Sequence, residues 1–80
     1  MSAGNWTSWT NAVWSCMELM NISVGSTFTL QEIYAAEDVL RRIYPKNNRI
    51  KQKIRQQLQI MRDHKKIEFV NDYGIYRRIS

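Results

Sequence analysis

Eighty residues, 44% of them hydrophobic, make a single folded domain with a small core and leave no room for a second. One cysteine excludes an internal disulfide and a multi-Cys zinc site. No apolar run approaches the length of a membrane span, and the opening MSAGNWTS lacks the charged segment and apolar stretch of a secretory signal, so a cytoplasmic, reducing setting without a membrane partner is expected.

The net charge of +5 is unevenly placed. Residues 1–45 carry net −2, residues 46–66 carry net +7, and residues 67–80 are balanced. The basic segment holds Lys46, Arg49, Lys51, Lys53, Arg55, Arg62, Lys65 and Lys66 against Asp63 alone. A solvated surface with no partner would mix the signs more evenly, so this clustering points to a polyanion.

In chain order, residues 1–8 are small and polar apart from Trp6, and read as a flexible lead-in ahead of a domain over 9–80. The spacing of Trp9, Val13, Cys16, Met17 and Met20 predicts a first helix over 9–20, capped by Ser8 or Thr7. Trp14 falls off that face, as a half-exposed ring or as a contact to a partner. NISVGS at 21–26 is a loop that turns at Gly25, and Thr27–Phe28 is long enough only to pair at a sheet edge. TLQE at 29–32 is a capping box, with Phe28 and Ile33 at the staple positions. It starts a second helix over 30–44, with Leu30, Ile33, Tyr34, Leu40 and Ile43 inward, which Pro45 ends.

KNN at 46–48 is a short turn, with Asn47 or Asn48 capping the next helix over 48–62. In that helix Ile50, Ile54, Leu58 and Met61 form one apolar stripe. Asn48, Gln52, Arg55, Gln56 and Gln59 lie opposite it, with Arg49, Lys51, Lys53 and Arg62 on the flanks. Arg matches the edge of guanine, Asn and Gln that of adenine, and flanking Lys and Arg suit phosphates. The segment therefore reads as a DNA recognition helix. Plain helix propensity would also place glutamines on a wet surface, and the basic clustering is what favours DNA.

Residues 67–70 and 75–79 are β-like runs around an NDYG tip at 71–74. The order helix, short strand, helix, helix, strand, strand is α+β, a winged helix-turn-helix with three helices and a C-terminal hairpin wing. Lys65, Lys66, Asn71 and Tyr73 are then placed to reach the DNA backbone or minor groove. Backbone N–H groups at Thr29, where the second helix starts, are placed to hold one more phosphate.

No catalytic constellation is evident. Glu37 and Asp38 are adjacent on a helix and point about 100° apart, while Cys16 and His64 belong to different elements. No metal or cofactor is expected.

FTLQEIYAAEDVL at 28–40, YP at 44–45, KIRQQLQIMRD at 53–63 and IEFVNDYGIYR at 67–77, with WT at 9–10 and VWSC at 13–16, resemble the C-terminal winged-helix domain of the Dam-replacing restriction endonucleases, the DpnI type. The likeness covers about residues 9–79. It implies double-stranded DNA as partner, a preference for adenine-N6-methylated GATC, and a PD-(D/E)xK nuclease domain as neighbour in the parent protein, which this chain does not contain. The helix exit DHKK at 63–66 departs from the glycine expected there, and Asp72 stands where a basic wing residue is expected. The rival function is protein docking or transcriptional regulation, with Trp6, Trp9 and Trp14 as an apolar patch. On either reading the chain is a monomer or a weak dimer.

Overall fold

The computed structural model describes residues 5–71 and 74–80. The elements are α1 (Ser8–Leu19), β1 (Thr27–Thr29), α2 (Leu30–Ile33), a 3₁₀ turn over Tyr34–Ala36, α3 (Glu37–Ile43), α4 (Ile50–Asp63), β2 (Ile67–Asn71) and β3 (Ile75–Arg78). This is the α+β winged helix-turn-helix arrangement expected, with α2, the 3₁₀ turn and α3 together making the second helical segment.

Thr7 starts α1 through a reciprocal box. The Thr7 N–H donates to Thr10 Oγ1 at 3.1 Å and the Thr10 N–H to Thr7 Oγ1 at 3.4 Å. Of the lead-in expected over 1–8, residues 1–4 lie outside the described residues, while Trp6 packs edge-on against Trp14 and His64. The helix ends in a Schellman turn: Asn21 takes φ 61°, its N–H reaches Glu18 O, and the Ile22 N–H reaches Met17 O. Ile22 is carried into the core by that turn.

The Thr29–Glu32 capping box is present in both directions, at 3.0 Å each way. The helix it starts is bent rather than continuous over 30–44. Three residues per turn in the 3₁₀ segment set Ala36 over Ile33, so the inward line runs Ile33, Ala36, Leu40 and then Tyr44, which stacks on Trp9 at 4.0 Å. Ile43, expected inward, is instead exposed, and Leu30 and Tyr34 are half-buried.

Val13, Cys16 and Met17 from α1, Ile33 and Leu40, Ile50, Ile54, Leu58 and Met61 from α4, and Phe28, Ile67 and Tyr76 from the sheet form one core. Burial raises the Cys16 thiol pKa, as suits a packing residue. The short strand Thr27–Thr29 pairs at a sheet edge: the order is β1-β3-β2, antiparallel, with Phe28 opposite Tyr76 and Tyr76 opposite Phe69. Phe28 stacks on the Tyr76 ring, and Phe69 meets that ring edge-on. A bulge between Phe69 and Asn71 bends the wing. Gly74 takes φ 81° and its carbonyl accepts the Leu30 N–H, and a Cβ there would sit 3.2 Å from Leu30 Cβ, so the wing closes tightly on α2. No helix among the described residues is long and apolar enough to cross a membrane.

Candidate nucleic-acid interface

The apolar stripe of α4 is buried as Ile50, Ile54, Leu58 and Met61. Gln57 joins it and its Oε1 accepts from the Thr10 hydroxyl at 2.7 Å, a buried polar link between α1 and α4. Gln57 lies three residues after Ile54 and four before Met61, so helical spacing places it inward, and only its polarity obscures this.

Anchoring that face leaves Lys51, Gln52, Arg55, Gln56, Gln59 and Arg62 in solvent. An open concave surface of about 690 Å³ is lined by Lys46, Asn47, Asn48, Arg49, Gln52, Lys53, Arg55, Gln56 and Gln59. The five side chains predicted to read bases, Asn48, Gln52, Arg55, Gln56 and Gln59, are thus gathered on one surface with three further cations, Lys46, Arg49 and Lys53, and no carboxylate. Asn48 belongs to the turn, since the helix begins at Ile50. Asn47 organises that turn: its Oδ1 accepts the Arg49 N–H at 2.7 Å. The cap expected from Asn47 or Asn48 is not made: the N-cap position is Arg49, which makes no side-chain cap bond, so the first turn of α4 presents N–H groups beside Lys46 and Arg49.

The flanks are braced by aromatic rings. The Lys53 ammonium lies 5.8 Å over Trp9, itself stacked on Tyr44, and the Lys51 ammonium lies 5.4 Å over Tyr34. These contacts hold the long side chains along α4 and lower the entropy lost when they meet a ligand. Behind them, burial raises the Tyr76 phenol pKa; the Arg55 guanidinium opposes that shift and the Tyr34 phenol adds to it.

Other predicted contacts are placed differently. The Arg62 guanidinium stacks 4.6 Å over Phe69 and pairs with Asp63 at 3.3 Å, off the concave surface. Lys65 is exposed at the helix exit with φ 61°; its N–H reaches Arg62 O and the Lys66 N–H reaches Met61 O, so the Schellman turn expected to need glycine is made with lysine. Lys66 is a seam residue, with its carbonyl accepting from Ile79 and its Nζ 3.5 Å from Ser80 Oγ. Asn71 ends β2 in solvent, and Tyr73 lies outside the described residues. The phosphate site proposed at Thr29 is corrected. Its N–H donates to the Glu32 carboxylate, the Leu30 N–H to Gly74 O, and the Glu32 N–H to Thr29 Oγ1. A phosphate would displace these bonds and face the Glu32 charge.

The three tryptophans do not form a free docking patch. Trp6 packs on Trp14, Arg78 covers Trp14 at 4.4 Å, and Trp9 is taken by Tyr44 and Lys53. Arg78 also donates to Ile22 O and Ser80 O and pairs with Glu18, tying the C-terminal strand to the end of α1.

Comparison with known families agrees with this fold. The model of the Dam-replacing HTH domain matches residues 5–78, a span that includes α1, the helix-turn-helix and both wing strands. A helix-turn-helix family supports DNA as the partner, and with nearly its whole length matched this chain belongs to the Dam-replacing HTH domain family.

Proposed function

We propose that this chain is a sequence-specific double-stranded DNA-binding module that lays α4 in the major groove. The observation that carries the reading is the concave surface on which Asn48, Gln52, Arg55, Gln56 and Gln59 converge among cations and without an acid. In the proposal these five read base edges, each bidentate contact discriminating by about 1–3 kcal/mol. Lys46, Arg49, Lys51 and Lys53 meet the phosphates on either side. Arg62, stacked on Phe69, and Lys65 extend the positive edge toward the wing, where Asn71 approaches the backbone.

We further propose that the site is adenine-methylated GATC, read as part of or beside a restriction endonuclease in a cytoplasmic setting; this step is supported by the family resemblance. A methyl group on adenine N6 needs an apolar partner, which the stems of the α4 side chains or Tyr73 would supply. No catalytic role is proposed for this chain.

Equilibrium binding to three short duplexes tests the proposal: N6-adenine-methylated GATC, unmethylated GATC and a scrambled sequence, each at two salt concentrations. Preference for the methylated duplex with a steep salt dependence is expected. Equal affinity for all three would overturn the specific reading, and no binding at low salt would overturn the DNA reading altogether.

A further inference from the structure

We propose that the α1–α3 face is a self-association surface on which two copies of this chain meet, α3 against α3 and antiparallel, about a two-fold axis. The face is apolar and open. Leu19 is 77% exposed, Ile43 53% and Val39 44%. Ala35, Val39 and Ile43 recur every four residues along one side of the second helical segment. Beside them a cleft of about 120 Å³ runs between that stripe and the end of α1, lined by Leu19, Met20 and Val39 among others. A domain of eighty residues has little apolar surface to spare, so a contiguous strip of this kind marks an interaction site.

The charges along the strip select the occupant. Within α3, Glu37 and Arg41 form an i,i+4 ion pair at 3.0 Å on the side away from the strip. Asp38 and Arg42 have the same spacing, border the strip, and make no ion pair or side-chain hydrogen bond among the described residues. Two antiparallel copies of α3 related by a two-fold axis keep this border on the same side of both helices. Asp38 of each then faces Arg42 of the other, and the pairing occurs twice. A parallel arrangement, with its two-fold axis along the helices, would put the two borders on opposite sides of the seam and give Asp38 and Arg42 no such partners. The order of charges thus complements its own reverse, a property that a second copy supplies without further assumption. None of the strip residues lines the concave surface of α4, so pairing leaves both recognition helices accessible. The inference does not depend on what α4 binds.

Sedimentation equilibrium of the 80-residue chain, from micromolar to millimolar, reads the association directly. The expected result is a reversible monomer–dimer equilibrium. Val39→Asp should abolish it, and Asp38→Arg or Arg42→Asp alone should weaken it about tenfold. The combined swap Asp38→Arg with Arg42→Asp should recover wild-type association within about twofold. All three positions are on the surface, and circular dichroism with a denaturant titration checks that each variant is folded. A chain that stays monomeric throughout, a higher oligomer, single swaps without effect, or a double swap that fails to recover while folded would each overturn the proposal.

Discussion

The link between Thr10 and Gln57 sets the strongest demand on this fold, because both side chains are buried and bonded to each other. Thr10 is 0% exposed and Gln57 3%, with Oγ1 and Oε1 2.7 Å apart. Gln57→Leu removes the acceptor and leaves the buried Thr10 hydroxyl only the longer 3.3 Å contact with Thr7 Oγ1, which costs about 1–3 kcal/mol, partly offset by the apolar side chain introduced. Thr10→Val removes the donor and also the acceptor of the Thr7 N–H, adding a capping loss of about 1 kcal/mol. In the double variant the polar pair is gone from both sides, and only the capping loss remains in full. The capping loss occurs in Thr10→Val and in the double variant alike, so a double-mutant cycle cancels it. A coupling energy of about 1–2 kcal/mol is expected, with the double variant less destabilised than the sum of the singles. For a domain of this size each kcal/mol moves Tm by roughly 4–8 °C, so the coupling is readable in thermal as well as urea unfolding. Additive single effects would refute the reasoning and leave Gln57 as a mere space-filler.

Three further outcomes follow from the same structure. Lys65→Gly should stabilise the fold by about 0.5–1 kcal/mol in urea unfolding, because Lys65 holds φ 61° in a turn that glycine adopts without Cβ strain. Arg78→Lys should lose much of the roughly 2–3 kcal/mol that Arg78→Ala loses, since one ammonium cannot serve Ile22 O, Ser80 O and Glu18 while covering Trp14. Tyr76 has a raised pKa in the folded state, so its contribution to stability is fully present below the unfolded tyrosine value of about 10 and is lost as pH rises through the higher folded value. Unfolding measured across that alkaline window should show a decline that Tyr76→Phe flattens.

Most of the fold is written in periodicity and caps. The stripe at Ile50, Ile54, Leu58 and Met61 locates α4, and TLQE locates the start of α2, because both are local signals that packing then obeys. The site residues on α4 follow from the stripe, since whatever faces away from a core is presented together. What was not legible depends on distant partners. The bend at Tyr34–Ala36 turns Tyr44 toward Trp9 and Ile43 outward, and no spacing rule for a straight helix contains it. Arg78 counted only toward the balanced charge of residues 67–80, yet it is clamped between α1 and the chain end. Lys66 read as a DNA contact for its charge, but its backbone and amine hold the chain end at Ile79 and Ser80. At Thr29 the same box that marks the helix start uses up the N–H groups that a phosphate would need.

The outer face of α4 is the centre of the account, and base discrimination by its glutamines tests it most directly. Fluorescence anisotropy of methylated-GATC and scrambled duplexes should be compared for the wild type, for Gln52→Ala with Gln56→Ala, and for Lys46→Ala with Arg49→Ala. Both glutamines are exposed, so their removal leaves the fold intact. The glutamine variant should lose its preference between the duplexes at an unchanged salt slope, while the cation variant should keep the preference and lose about 0.9 in log–log slope per phosphate contact. A glutamine variant that discriminates as the wild type does would contradict the assignment of α4 as the helix that reads the groove.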